Sequence, residues 1–214
     1  MNLGEFHLRI SAALRRGTSL DAQIPLWVAE SANLIETMHT WSWMKKSGTI
    51  VTDPEDEFPG RLDLPNSRIK SIEFIKWQKP DPQMPDVIGY YDLVGVSPDL
   101  IQGRSNLNPT GYWLDGLNFI WLDTDPTEAL TLWLRYAEYT DWPTDTAATP
   151  SLLLRGMSLL AAETLLLASQ ENRDPRLTDI YKARRDQAFM ALSLAEQEIE
   201  FRHQSGMKMQ YAPR

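Results

Sequence analysis

The chain has 214 residues, 43% of them hydrophobic, a formal net charge of −8 and no cysteine. The missing cysteine excludes disulfides, thiolate metal sites and a cysteine nucleophile. The acidic balance argues against an outer surface built to grip nucleic acid. Length and composition suit a soluble globular domain with room for an inserted subdomain. The opening stretch MNLGEFHLRISAALRR shows no signal-peptide core and no small-residue cleavage site. Eight tryptophans are many for this length. Several are expected at the surface or at an interface, where aromatic residues are enriched.

Leu3, Phe6, Ile10, Ala13 and Leu14 recur at helical spacing, and Arg15-Arg16-Gly17 suits a helix end. Pro25 starts a second helix, with Ile24, Trp27, Val28, Leu34, Ile35, Met38 and Trp41 on one side. It is predicted to end near Lys45-Lys46, where cations favour a helix C-terminus. At Gly48 the period changes to that of strands. GTIVTD, IKSIEFIKW and DVIGYYDLVG read as strands, separated by proline- and acid-rich loops. YWLDGLNFIWLD reads as a hairpin around Asp115-Gly116, a type I′ turn signal. In ALTLWLRYAEY, Leu130, Leu132, Leu134 and Tyr136 share one face.

A closing helical pair spans Thr149 to His203. Its helices open Thr149-Pro150 and Asp174-Pro175, a capping residue followed by a proline at the first helical position. The first is leucine-rich nearly all round and is expected to be buried on most sides. Arg155 and Glu163 interrupt it, so it is not a membrane span. The second places Leu177, Tyr181, Ala188, Leu192, Ala195 and Ile199 on one face.

Helices and strands in separate blocks predict an α+β fold. The expected architecture is a bundle of about four helices, interrupted by an inserted antiparallel β subdomain, with an extended C-terminal tail. The corresponding segments are 1–47 for the first part of the bundle, 48–140 for the β subdomain, 141–203 for the closing helical hairpin and 204–214 for the tail.

Signatures of chemistry are absent from the sequence. His7, His39 and His203 are far apart and in no metal-ligand spacing. There is no G-x-S-x-G and no Walker A motif. Asp53 to Glu57 lacks the alternation and central glycine of a calcium loop and reads as a solvated turn. Tyr90-Tyr91, Tyr112-Trp113 and Trp121 have no basic surround for stacking on bases, so a place in the sheet core is expected. No catalytic, cofactor-binding or metal-binding residue is assigned, and no cofactor.

Two features remain. The last helix carries Arg176, Lys182, Arg184 and Arg185 in its first half and Glu196, Glu198 and Glu200 in its second, the wrong sign for the helix dipole. The alternatives are a solvated face or two ends that meet complementary surfaces on neighbouring copies. On the second alternative Arg184, Arg185, Glu196, Glu198 and Glu200 are subunit-interface candidates. In the tail, Met207, Met209 and Tyr211 alternate with Lys208, Gln210 and Ala212. That period suits either a frayed end or an extended docking arm with one apolar face.

IPLWVAESANLIE, the stretch LNFIWLDTDPTEALTLWLRYAEYTDWP and the closing pair from DTAATPSLLLRG to MALSLAEQE together resemble the head-to-tail adaptor, or connector, proteins of tailed bacteriophages. The likeness spans most of the chain as a pattern, without an invariant motif. It implies a virion protein, made in the host bacterial cytoplasm, that forms a ring under the portal protein. Such rings are usually dodecameric, extend the DNA channel without binding DNA specifically, and seat the next tail protein. It also implies that the tail, through Met207, Met209 and Tyr211, grips the portal. The family brings no catalytic signature. The alternative functions are a tail-associated cell-wall hydrolase and a carbohydrate- or host-receptor-binding module built on the aromatic β block.

Overall fold

The computed structural model describes residues 1–14, 17–65, 68–80, 88–100, 108–116 and 119–209, the side chains at 17–18, 79–80, 88, 100 and 200–209 excepted. The chain forms two compact units, Met1–Trp43 with Asp141–Arg214, and Met44–Thr140. Each is described by itself.

The first unit is helical. Helix α1 is Leu3–Leu14, α2 Ile24–Met38, α3 Ser151–Arg155, α4 Met157–Glu171 and α5 Pro175–Met209. A reciprocal capping box starts α1. The Glu5 N–H donates to Asn2 Oδ1 at 2.8 Å and the Asn2 N–H to Glu5 Oε2 at 3.0 Å. The next orphan donors, Leu3 N–H and Gly4 N–H, reach the carbonyls of Ala148 and Thr146. Leu3, Phe6 and Ile10 then fall on one buried stripe.

Helix α2 stops at Met38, seven residues before the predicted end, and Lys45 already belongs to a strand. The cause is Trp41. It is fully buried, its indole N–H donates to the Ile35 carbonyl at 2.9 Å, and its ring meets Trp43 face to face and Phe189 edge-on. Seating that ring requires the chain to leave the helix, and it does so through extended backbone at His39.

The leucine-rich stretch is two helices, not one. Gly156, with φ −119° and ψ 26°, separates α3 from α4. A Cβ at this position would lie 2.8 Å from Leu152 Cδ1 and 3.2 Å from Leu192 Cδ2, so any larger residue requires these leucines to shift. Helix α4 is buried nearly all round, as its composition predicts. Asp174 caps α5 through Oδ1 and the Leu177 N–H, at 3.2 Å. Helix α5 has 35 residues and a length of about 52 Å.

The second unit is one seven-stranded mixed sheet that curls into a half-barrel. Its strands are β1 Lys45–Val51, β2 Arg61–Asp63, β3 Ile69–Pro80, β4 Ile88–Gly95, β5 Gly111–Asp115, β6 Phe119–Leu122 and β7 Thr131–Glu138, in the order β1-β7-β3-β4-β5-β6-β2. The predicted hairpin is β5–β6, with Trp113 opposite Trp121 and Gly116 at φ +64°. Its core holds Ile75, Trp77, Leu93, Ile120, Leu122, Leu132 and Leu134.

This architecture overturns the expectation of about four helices around a small antiparallel insert with an extended tail. There are five helices among the described residues, because Gly156 divides one of them. The sheet is a full unit with its own core, and β4 and β5 pair in parallel at Val94–Gly111 and Gly95–Tyr112. Their long connection allows this, where a tight turn would force antiparallel pairing. Residues 204–209 continue α5 instead of forming an arm. Each residue added to a helix contributes a hydrogen bond, and Gln204, Met207, Lys208 and Met209 are good helix formers, enough to offset Gly206 at about 1 kcal/mol.

Candidate interaction surfaces

The half-barrel has two faces of different character. Alternation along β7 sends Leu132, Leu134 and Tyr136 into the core and Thr131, Trp133 and Arg135 outward. The outward set continues across the sheet, because the register sets Trp133 opposite Lys76 and Arg135 opposite Phe74 on β3, and Tyr90 opposite Gln78 between β4 and β3. Trp133 packs 5.6 Å from Phe74 and 6.2 Å from Tyr90, centroid to centroid. Farther along the sheet Trp113 and Trp121 stack at 5.6 Å, Phe58 meets Trp121 edge-on, and the Arg61 guanidinium lies over Phe58 and Phe119.

Tyr90 is 53% exposed, and Trp113, Trp121 and Trp133 are half-buried. Of the aromatic residues expected in the sheet core, Tyr90, Trp113 and Trp121 therefore line its outer side, whereas Tyr91 stacks 4.8 Å from the core residue Trp77 and Tyr112 packs against the core cluster. Burial there raises the Tyr112 phenol above its ordinary range. Charges on the outer face occur in pairs. Glu73 bridges Lys45 at 3.3 Å and Arg135 at 3.0 Å, and Lys76 meets Asp92 at 3.1 Å.

In the helical unit, the candidates read from the mis-signed helix separate into two groups. Arg185 and Glu196 face inward. Arg185 is half-buried, with Nη1 3.6 Å from Glu163 Oε2 and Nε 2.7 Å from Asp186. Glu196 is only 6% exposed. It accepts from the Ser42 N–H at 2.8 Å and the Ser42 hydroxyl at 3.0 Å, while Arg155 Nη1 reaches the same hydroxyl at 2.6 Å. Arg184 and Glu198 face solvent. Glu200, Met207 and Met209 lie in the helical backbone of α5, with side chains outside the described residues, and Tyr211 lies wholly outside them. Ser42 and Arg155 were missed by sequence reasoning, because nothing local marks a serine 154 residues from its carboxylate.

Glu163 on α4 is 3% exposed, and its Oε2 has no hydrogen-bond partner. Burial raises its carboxyl above the ordinary range, with the nearby Arg185 opposing and Asp186 adding to the shift. Burial also lowers the His7 imidazole, whose Nε2 is unpartnered. Among the described residues, no group of three or more histidine and carboxylate side chains is placed to hold a metal ion, and no helix is long and apolar enough to cross a membrane. What the unit does present is exposed apolar surface on α5, where Met190 and Leu194 are 68% and 63% exposed. A crevice between α4 and α5, lined by Ala161, Ala162, Leu165 and Ala188, holds a hollow of about 450 Å³.

No protein-family model matches the chain, and no curated protein matches it.

Proposed function

We propose that this protein is a structural virion component, a head-to-tail adaptor that assembles as a ring of copies beneath a bacteriophage portal protein. In this reading the ring, expected to be a dodecamer, extends the DNA channel at the head–tail junction and seats the next tail protein. It performs no chemical step and uses no cofactor. The observation that supports it best is the outer face of the half-barrel. Solvent-facing aromatic rings are the residues that dominate protein interfaces. The cations and carboxylates among them are already paired within one protomer. Such pairs enter an interface without leaving a lone buried charge, which is the costly case. A ring closes through two different patches on each protomer, and this face is one of them. The net charge of −8 suits a channel through which DNA slides without sticking. The last turns of α5, which carry Met207 and Met209, are the proposed grip on the portal.

The test is co-sedimentation of the purified chain with portal rings, followed by electron microscopy of the bound species. A closed ring of the chain on the portal is expected, and free chain beside bare portal would overturn the proposal. One observation favours a second reading, a carbohydrate- or receptor-binding module. Tyr90 offers an exposed ring next to Gln78 and near Asp92, hydrogen-bonding groups of the kind that flank sugar-stacking aromatics. Binding to host cell surfaces that is lost on Tyr90→Ala, without portal association, would favour it.

A further inference from the structure

We infer that two copies of this chain pair edge to edge through β1, antiparallel about a two-fold axis at Gly48. Strand β1 ends the sheet. It is bonded to β7 on one side, and among the described residues no strand lies on its other side. The ladder tells which residues face that open side. The Thr52 N–H donates to the Leu130 carbonyl just beyond the β1–β7 pair, and backbone direction alternates from residue to residue along a strand. The register runs unbroken from Lys45 to Val51. Ile50, Gly48 and Lys46 therefore also turn their backbone groups to β7, and Ser47, Thr49 and Val51 turn theirs to the open edge. These three residues are exposed, Val51 at 58%.

A row of free N–H and C=O groups selects an extended strand as its occupant. Lysine commonly blunts such an edge. Here Lys45 and Lys46 stand at one end of β1 and reach Glu73 and Glu138 of their own chain. The stretch from Ser47 to Val51 carries no proline and no charge. Its sequence fits a second copy of itself. Turned antiparallel about Gly48, β1 meets β1 over all seven residues, and a shift to either side leaves residues unpaired. In that register Ser47 of each copy lies opposite Thr49 of the other, and Lys45 opposite Val51. The residues that face the edge thus fall opposite one another, as an antiparallel ladder requires. Serine and threonine so placed hydrogen-bond across the strands. With the Lys45 ammonium held away on Glu73, Val51 packs against the first carbons of that side chain. The lysines of the two copies stay at opposite ends of the contact, whereas a parallel second copy would set them side by side. A two-fold contact uses the same patch on both copies, and this edge is complementary to itself.

This pairing goes beyond the adaptor reading and does not depend on it. Neighbours in one closed cyclic ring are not related by a two-fold axis, so the contact belongs to the free protein. Failure of the portal experiment leaves it standing, and its own failure leaves the ring proposal standing.

The test uses the full chain. Because the protein has no cysteine, Gly48→Cys introduces a single thiol. Its Cβ would lie 3.6 Å from Tyr136 Cε1, an ordinary contact. On the axis, two such residues face each other at a Cα separation of about 4.5 Å, within the range of about 4.4–6.8 Å that a disulfide needs. Val51→Cys is the control. It is more exposed, but the axis places its two copies about 20 Å apart, six residues along the strand. Mild oxidation is expected to give a covalent dimer of Gly48→Cys and none of Val51→Cys. In sedimentation equilibrium the parent chain is expected to be dimeric. Thr49→Lys puts a cation of each copy beside the axis and is expected to weaken association at least about tenfold. Thr49→Pro removes an N–H that faces the open edge and not β7, so it is expected to abolish the dimer in a folded chain. Circular dichroism of each variant confirms the fold, and Thr49→Lys, an exposed substitution, carries the test if the proline variant does not fold. A monomeric parent chain, equal crosslinking at both positions, or a folded Thr49→Lys that associates as the parent does would overturn the inference.

Discussion

Glu196 and Ser42 are joined twice, through the Ser42 backbone N–H at 2.8 Å and its hydroxyl at 3.0 Å, across 154 residues of sequence. The carboxylate holds the chain just after the Trp41 turn against the side of α5. Hydrogen bonds to a charged group contribute about 1.5–3 kcal/mol each, and partial exposure of this pair places the sum near the lower end. Glu196→Ala is therefore expected to cost about 2–3 kcal/mol in denaturant unfolding, with Glu196→Gln costing less because one acceptor remains. A change within about 0.5 kcal/mol, the range of an ordinary surface site, would show that the contact carries no load.

Glu163 and His7 predict opposite pH slopes in different windows. The folded-state pKa of Glu163 is raised by burial. Its stabilising contribution is complete below the ordinary carboxylate range and is lost as pH rises through the raised value. Glu163→Gln should therefore melt higher than the parent chain at neutral pH, and the gap should close toward pH 4. His7 is lowered by burial. The fold favours its neutral form, so stability falls as pH drops below the ordinary histidine range, and His7→Gln should remove that slope. Thermal melts from pH 4 to pH 8 separate the two, and parallel profiles for parent and variants would refute both assignments.

Local signals account for the parts of the fold that were legible in the sequence. The stripe Leu3, Phe6, Ile10 marked α1, Asp174-Pro175 marked the start of α5, and Asp115-Gly116 marked the β5–β6 hairpin. What was not legible depends on distant partners. Strand β7 comes last among the strands but inserts between β1 and β3, and no local pattern says which strand it will join. The end of α2 is set by a ring contact with Phe189, far along the chain. The interface residues on α5 were read from charge alone, which does not distinguish Glu196, buried against Ser42, from the exposed Glu198. The outer aromatics failed for a related reason. A strand such as IKSIEFIKW is apolar on both faces, so its alternation marks two sides without saying which is the core.

At Gly156 two effects oppose each other. Alanine favours a helix over glycine by about 1 kcal/mol, and the position joins α3 to α4. A Cβ there would meet Leu152 Cδ1 at 2.8 Å and the Leu152 carbonyl oxygen at 3.3 Å. Leu152 is only 2% exposed, so its side chain has little room to retreat. Overpacking of this kind costs about 1–3 kcal/mol, and steric cost wins. Gly156→Ala is expected to lower stability by about 1–2 kcal/mol, measured by denaturant midpoint at unchanged slope. A stabilised variant would mean that α3 and α4 can merge into one helix.

Leu132 and Trp133 are neighbours on β7 that face opposite sides, and substitution should separate folding from assembly. Leu132 has no exposed surface and lies in the core with Leu134 and Ile75. Removing its side chain leaves a cavity, at a cost of about 2–5 kcal/mol. Trp133 lies on the outer face between Phe74 and Tyr90, opposite Lys76. Its loss removes cross-strand contacts of about 0.2–1 kcal/mol each and leaves no cavity. Leu132→Ala is expected to lower the melting temperature of the isolated chain sharply. Trp133→Ala should lower it only slightly. The order reverses in ring formation on the portal, because a tryptophan at the centre of an interface commonly carries 2 kcal/mol or more, by typical hot-spot magnitudes of roughly that size. A ring multiplies that loss by the number of contacts that must close together. Trp133→Ala is therefore expected to give a folded chain that does not close a ring, and Leu132→Ala, below its melting temperature, a chain that still does. If Trp133→Ala assembles as the parent chain does, the outer face of the half-barrel is not the subunit contact.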